Sequence, residues 1–189
     1  MASNTFKLVE EDFKCYYDFK PGIRFIDMMP VMGDARKLRE TVKSMAAGIR
    51  ERHPEGVDYI AAMELLGVPF GAPLAYELGC GLVVIRKPGK LPGPVYTTHS
   101  KKVYDETDLH LQKDAFPEGA KVILVDDLIY NGGTLAAACR LLQMGGAKIL
   151  ECDVIVDLPF LNGRETIQKE FPGVNVYGVM EFSPPKNLE

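Results

Sequence analysis

The sequence is poor in the residues that build metal centres and disulfides. Its 189 residues include no tryptophan, three histidines and four cysteines. The cysteines form no CxxC pair, and no histidine joins them at zinc-ligand spacing. We therefore expect free thiols in a reducing compartment, and we assign no direct metal ligand. The four cysteines are Cys15, Cys80, Cys139 and Cys152.

Signals for export, membranes and nucleic acids are also missing. The opening MASNTFKLVEED has neither the basic nor the apolar region of a secretory signal, and no apolar run is long enough to cross a bilayer. We expect a cytoplasmic protein without membrane contact. The net charge of −4 argues against nucleic-acid binding, which rests on clustered Lys and Arg. A local basic cluster suits a small anionic ligand instead: Arg86, Lys87, Lys90, Lys101 and Lys102.

Strand-like and helix-like segments alternate along most of the chain. A hydrophobic content of 47% in 189 residues predicts one core and one domain over residues 1–189. The near-continuous apolar runs are typical of strands buried on both faces. The fold class is therefore α/β, a mostly parallel central sheet flanked by helices. Strands are predicted at 57–63, 80–86, 121–128, 148–157 and 175–182, and helices after Asp34 and at 69–79, 133–144 and 163–171.

A phosphate-binding turn is the most informative motif. Residues 122–134, VILVDDLIYNGGT, run from a predicted strand directly into a predicted helix. Glycines allow close backbone approach, and the unsatisfied N–H groups of a helix N-terminus attract an anion. We expect these residues to bind a phosphate group: Tyr130, Asn131, Gly132, Gly133 and Thr134.

Two carboxylates, Asp126 and Asp127, precede this turn at the carboxyl end of the strand, the edge where α/β sheets bind ligands. They would repel a bare phosphate but can accept hydrogen bonds from the hydroxyls of an attached sugar. A ribose 5-phosphate satisfies both requirements. The structural alternative is a tight turn in which the two acids only cap the loop. No GK[ST] follows the glycines and no GxGxxG opens a helix, which excludes the Walker and dinucleotide-binding patterns.

With these motifs, the chain resembles the type I phosphoribosyltransferase family. The resemblance rests on VDDLIYNGGT and extends to PGIRFIDMMPVM, VIRKPGKLPGPV, LQKDAF and ILECDVIVDLPFLNGRE. The PGxxFxD and KLPG pieces indicate the adenine-specific branch. The resemblance implies that the chain makes AMP and pyrophosphate from adenine and phosphoribosyl pyrophosphate, with Mg²⁺ as cofactor. It also implies a homodimer, a small hood with the base pocket at residues 1–33 and a flexible lid at residues 87–120.

The resemblance also implies residue roles. Residues 130–134 would bind the 5-phosphate, and Asp126 and Asp127 the ribose diol. Phe25, with its neighbours Arg24 and Ile26, would line the adenine pocket, and Leu128 would face the other side of the base. Adenine is flat and apolar with a polar rim, so it fits between these two side chains. The pyrophosphate would lie near Glu64, Leu65, Arg86, Lys87 and Lys90.

Two positions depart from the family pattern. Leu66 stands where the family has an Arg that holds pyrophosphate, and Val103, before Tyr104, stands where it has a Glu that exchanges a proton with adenine. Arg86, Lys87 and Lys90 can supply the positive charge that the missing Arg would carry. Asp105 or Glu106 can supply the carboxylate of the missing Glu. These departures keep two alternatives open, a transferase for another purine and a non-catalytic sensor that binds a phosphoribosyl ligand.

We predict that Asp105→Asn or Glu106→Gln lowers turnover, because one of these carboxylates takes the place of the missing Glu beside Tyr104. Steady-state kinetics with adenine and phosphoribosyl pyrophosphate measures the effect. Near-normal turnover in both variants would remove both residues as candidates.

Overall fold

The computed structural model describes residues 6–20, 23–101 and 106–184. Short 3₁₀ turns lie at Glu10–Asp12 and Pro159–Leu161. The strands and helices follow in this chain order: β1 Lys14–Lys20, β2 Ile23–Asp27, α1 Met29–Met32, α2 Ala35–Arg52, β3 Tyr59–Met63, α3 Val68–Leu78, β4 Gly81–Ile85, β5 Val95–Lys101, β6 Glu106–Gln112, β7 Lys121–Ile129, α4 Gly133–Met144, β8 Lys148–Asp157, α5 Gly163–Glu170 and β9 Asn175–Glu181.

Five strands form a parallel sheet in the order β4-β3-β7-β8-β9. Its central strand, β7, is buried from Val122 to Asp126. Such a run needs helices on both faces, and side chains alternate between the two. Val122 and Leu124 pack with α4, whereas Ile123 and Val125 pack with α2 and α3. The predicted α/β class is confirmed.

The helices form one layer on each face of this sheet. Helix α2, predicted after Asp34, buries Val42, Met45 and Ile49 against Phe70 and Leu74 of α3. On the other face α4 and α5 bury a second set: Leu135, Cys139, Leu142 and Ile167. All four cysteines are free.

Asp34 caps α2 as its side-chain chemistry predicts. Its Oδ1 accepts hydrogen bonds from the backbone N–H groups of Arg36, at 2.9 Å, and Lys37, at 3.0 Å. These bonds satisfy N–H groups of the first turn that have no partner within the helix.

The segment at residues 87–120 is more regular than its polar composition suggests. Strands β5 and β6 pair antiparallel from Val95↔Gln112 to Lys101↔Glu106. Arg140 of α4 attaches the hairpin to the second helical layer, donating to Thr98 Oγ1 at 3.5 Å and to the His99 carbonyl at 3.4 Å.

The aromatic N-terminal stretch is divided between the interior and the surface. Phe13 is buried by its own chain, with its ring centroid 5.3 Å from that of Phe182. Tyr16, Tyr17 and Phe19 of β1 are exposed. In the part of the chain that the structure describes, no helix has both the length and the apolar character to span a membrane.

A charged cluster is buried where α2 ends beside β8. The Arg52 guanidinium donates to both carboxylate oxygens of Glu151, at 2.7 and 2.9 Å, and its Nη2 lies 3.6 Å from Asp153 Oδ2. Among the described residues, Asp153 Oδ1 is buried without a hydrogen-bond partner. Burial, and then the negative charge of Glu151, raise the pKa of Asp153 well above its ordinary value, against the attraction of Arg52.

We predict that Asp153→Asn raises the free energy of unfolding above that of the wild type, and that this difference grows as the pH rises. Because the folded-state pKa lies above the unfolded one, the wild type is most stable below the unfolded pKa. It then loses stability as pH rises through the folded-state pKa. The variant lacks this ionisation, so its advantage in urea unfolding should grow from about pH 5 to about pH 8. The exposed Asp114→Asn is the control, and an advantage that does not change with pH would contradict the prediction.

Candidate functional site

The predicted functional residues meet where the parallel strands end. Strand β3 leads into Glu64–Gly67, and β7 carries Asp126 and Asp127 before the turn into α4. The carboxyl ends of parallel strands share one edge, which is where sheets of this kind bind ligands. One edge therefore holds both the predicted carboxylate pair and the predicted phosphate turn.

The two carboxylates differ in their surroundings. Asp126 is only 7% exposed, and its Oδ1 accepts the backbone N–H of Asp127 at 2.9 Å. Asp127 is half-buried. A strand buried on both faces keeps this pair in position, and carboxylates at its end can accept hydrogen bonds from ligand hydroxyls.

The phosphate loop, residues 130–134, is tightly packed against the start of α5. Gly132 has a φ of +80°, and a Cβ there would lie 2.5 Å from the Gly163 carbonyl oxygen. A Cβ at Gly163 would in turn lie 2.3 Å from the Tyr130 carbonyl oxygen. Two backbones without side chains between them therefore set the position of the loop.

The loop leads into an N-terminus with the chemistry of an anion site. Asn131 Oδ1 accepts the N–H of Gly133 at 3.1 Å, which closes the turn. Helix α4 then runs from Gly133 to Met144, and its first-turn N–H groups and dipole favour negative charge. The loop can hold a phosphate by backbone donors.

The predicted base-binding residues lie on β2 and beside the phosphate loop. The rings of Phe25 and Phe19 are 4.6 Å apart between centroids. Ile26 is 1% exposed and belongs to the core, so its backbone is the part that can reach a ligand. Leu128 packs against the same core, and the Tyr130 hydroxyl donates to the Arg24 carbonyl at 3.0 Å. Strand β2, which pairs antiparallel with β1, is therefore in direct contact with the phosphate loop.

The predicted pyrophosphate residues contain an internal ion pair. Arg86 Nε lies 3.2 Å from Glu64 Oε2, and the backbone N–H of Lys87 donates to the same oxygen at 3.1 Å. The hydrogen bond from Arg86 lowers the pKa of Glu64, against its partial burial. Arg86 also donates to the Lys90 carbonyl at 2.8 Å, while the Lys87 and Lys90 side chains are exposed. Arg86 is thus already paired within the site.

The loop between β3 and α3 lies close to the end of β7. The Glu64–Leu65 peptide bond is cis, and Leu65 is exposed. A Cβ at Gly67 would lie 2.7 Å from the Val125 carbonyl oxygen, so glycine is required for this approach. Leu66 packs against the core of the α2 and α3 layer and offers no charge there.

Three predicted residues fall at the limit of the described chain. Tyr104 and Asp105 lie outside the described residues, and Glu106 is described as the first residue of β6. Their roles stay predictions.

The sequence interpretation missed an ion pair at the same edge. Asp157 ends β8, is buried, and accepts from Arg164 Nε at 2.5 Å, while Arg164 Nη2 lies 2.8 Å from Glu181 Oε1. An acid at the end of an apolar strand was the available signal. The pair joins α5, which supports the phosphate loop, to β8 and β9.

We predict that Gly163→Ala weakens phosphate binding at the loop, because the added Cβ must displace the Tyr130 carbonyl. Titration calorimetry with inorganic phosphate should give a rise of roughly tenfold or more in Kd, the loss expected when a site of fixed backbone donors is distorted. The control is Glu165→Ala on the exposed face of the same helix, which should match wild type. Equal affinity in the Gly163 variant would contradict the packing argument.

The chain is similar to known proteins over most of its length. The model of the phosphoribosyl transferase domain family matches residues 33–175. The adenine phosphoribosyltransferase of Homo sapiens is 42% identical over 168 residues, 88% of this chain and 93% of that protein.

Two solved structures share the fold. Adenine phosphoribosyltransferase from Saccharomyces cerevisiae, complexed with adenine and D-2,5-dideoxy-2,5-imino-altritol 1,6-bisphosphate, has a TM-score of 0.83 and 33% identity, covering 90% of this chain and 96% of that chain. The Trypanosoma brucei enzyme, in complex with AMP, pyrophosphate and ribose-5-phosphate, has a TM-score of 0.82 and 25% identity, covering 91% and 77%.

Proposed function

Because this chain belongs to the phosphoribosyl transferase family, and within it to the adenine phosphoribosyltransferases, we infer that it converts adenine and phosphoribosyl pyrophosphate to AMP and pyrophosphate. The observation that carries this conclusion is the carboxylate pair directly before a glycine turn at a helix N-terminus, in a chain that matches these enzymes over 88% of its length. Phosphoribosyl pyrophosphate binds by its 5-phosphate and by its pyrophosphate, and the reacting carbon lies between these two groups.

The phosphate loop binds the 5-phosphate of the sugar. Backbone N–H groups of residues 131, 132 and 134 and the Thr134 hydroxyl are the donors, and the dipole of α4 stabilises the charge. Asp126 and Asp127 accept hydrogen bonds from the ribose hydroxyls. Since both sets follow one strand, a single local structure orients the sugar.

The base occupies the space between Phe25 and Leu128. Phe25 supplies an aromatic face and Leu128 an apolar one, and the backbone at Arg24 and Ile26 reads the polar edge of adenine. The contact between Tyr130 and the Arg24 carbonyl supports this assignment, since it brings β2 beside the phosphate loop.

The pyrophosphate lies near the loop between β3 and α3. Lys87 and Lys90 supply positive charge. Arg86 contributes when its guanidinium leaves Glu64 and pairs with the pyrophosphate oxygens. The backbone at Glu64 and Leu65 borders the site. These cations stand in for the Arg that Leu66 replaces.

Mg²⁺ is the proposed cofactor. Within the described ranges, no group of three or more His, Cys, Asp and Glu side chains could hold a metal ion. The donors at the site, Asp126 and Asp127, fit a hard cation that is bound mainly through substrate oxygens. When bound, the ion neutralises charge on the leaving pyrophosphate.

The reaction is a displacement at the anomeric carbon. The bond from C1′ to the pyrophosphate oxygen breaks, a bond from adenine N9 to C1′ forms, and the N9 proton leaves the base. A transition state with positive charge on the sugar needs positioning and charge stabilisation more than covalent help. Tyr104, Asp105 and Glu106 are the candidates for the proton transfer.

Segments around this core serve access and assembly. We assign residues 1–33 to the hood and residues 87–120 to a lid that excludes water, in one domain of residues 1–189. The exposed Tyr16, Tyr17 and Phe19 are compatible with a homodimer contact. The protein is proposed to work in the cytoplasm.

A phosphoribosyl-ligand sensor is the second candidate. Leu66 and Val103 favour it, because both replace charged residues of the family pattern. The complete phosphate turn and base strand favour the enzyme.

One assay separates these functions. The purified chain is incubated with phosphoribosyl pyrophosphate, Mg²⁺ and adenine, hypoxanthine or guanine, and nucleotide is detected by mass spectrometry. We expect AMP from adenine alone, and loss of product when EDTA removes the metal.

Asp127→Asn should reduce the rate by about tenfold or more, since it weakens a hydrogen bond to the reacting sugar.

Product from another base would identify a transferase of different specificity. Ligand binding without product from any base would identify the sensor. The Glu51→Gln variant controls for charge, because Glu51 is exposed and lies in the last turn of α2, outside every segment assigned to the site.

A further inference from the structure

The hydroxyl of Tyr130 joins two binding elements that are far apart in sequence. It donates to the Arg24 carbonyl at 3.0 Å, across 106 positions of the chain. Tyr130 opens the phosphate loop, and Arg24 precedes Phe25 on β2. One hydrogen bond therefore runs from the element that binds the sugar phosphate to the element that binds the base.

The Arg24 side chain fixes the other end of this link. Its Nη2 lies 3.2 Å from Glu10 Oε2, its Nη1 donates to the Ser183 carbonyl at 3.2 Å, and its Cζ lies 4.9 Å from the Phe182 ring centroid. Glu10 Oε1 also accepts the N–H of Ser183 at 2.9 Å. Arg24 is thus held to the N-terminal segment and to the chain after β9.

This attachment is stronger than an ordinary surface ion pair. The Arg24 side chain is 16% exposed and that of Glu10 33%, so solvent screens their attraction less than it would at the surface. Because the guanidinium is fixed, its own backbone carbonyl has a defined position. The bond from Tyr130 then sets the distance between β2 and the phosphate loop.

We propose that Tyr130 is a positioning residue for adenine, through which the sugar phosphate and the base bind cooperatively. The inference rests on the proposed function and extends it. A phosphate bound to residues 130–134 restrains the Tyr130 ring further, and its hydroxyl then holds Arg24 and the adjacent Phe25. By linkage, adenine strengthens sugar-phosphate binding by the same factor.

The test is Tyr130→Phe, which removes the hydroxyl and leaves the backbone donors. Titration calorimetry measures the Kd of adenine without and with saturating ribose 5-phosphate. In wild type, ribose 5-phosphate should tighten adenine binding roughly two- to tenfold, the worth of one hydrogen bond. In the variant this factor should fall to about one, while the Kd of ribose 5-phosphate alone changes by less than about twofold.

Kinetics distinguish positioning from general damage. The KM for adenine should rise roughly two- to tenfold in the variant with kcat changed by less than about twofold, because the lost contact acts on binding. The matched control is Tyr76→Phe, a tyrosine of α3 that is 89% exposed, which should leave both constants unchanged.

A second variant tests the chain of contacts. Arg24→Met keeps the backbone carbonyl but removes the guanidinium, and it should reduce the cooperativity as Tyr130→Phe does. The double variant should show no further loss, since both changes interrupt one link.

The outcomes separate the two claims. A wild type that makes no AMP contradicts the proposed function. A wild type that makes AMP but binds the two ligands independently, or a Tyr130→Phe variant with undiminished cooperativity, overturns this inference alone.

Discussion

The site depends on a packing constraint at the end of β7. This strand is buried on both faces, so the residues that follow it emerge at a fixed point of the sheet edge. Gly132 and Gly163 then let the phosphate loop and the start of α5 pack backbone against backbone. The Ile129 side chain packs at the same point, 2.6 Å from where a Cβ of Gly163 would lie. The donors of α4 are consequently held by the core rather than by the loop itself.

Charge at this edge is arranged in matched pairs. Glu64 faces Arg86, and Asp157 faces Arg164. Each carboxylate comes from a strand end or the loop after it, and each guanidinium from a different element. Within each pair the guanidinium offsets the charge of its carboxylate. In the proposed function, the pyrophosphate competes with Glu64 for Arg86, so we expect the exposed Lys87 and Lys90 to supply more of the positive charge.

Two described segments that are far apart in sequence, around Glu10 and around Ser183, also meet beside β2. Glu10 and Ser183 both bind Arg24, and Phe13 packs on Phe182. The N-terminal segment is therefore attached to the chain after β9 by hydrogen bonds of Arg24 and Glu10 with Ser183 and by the contact of Phe13 with Phe182. This explains how a two-stranded hairpin, which is marginally stable alone, keeps a defined position.

Local pattern alone determined the fold class and the phosphate turn. Apolar runs predicted the strands of the sheet, the pattern after Asp34 predicted α2, and the DD and GGT pieces lie within ten residues of one another. These features depend on neighbours in the chain, which is why a sequence reveals them. The β5–β6 hairpin was less visible, because its polar alternate residues resemble those of a loop.

Only the tertiary structure decided the contacts between distant residues. The pairing of Arg86 with Glu64, the burial of Asp153 beside Glu151 and the bond from Tyr130 to Arg24 join elements that no periodicity connects. A hydrogen bond or an ion pair acts over a few ångströms, so its partners are set by how whole layers pack. The separation of two residues in the sequence therefore does not indicate whether their side chains come within bonding distance.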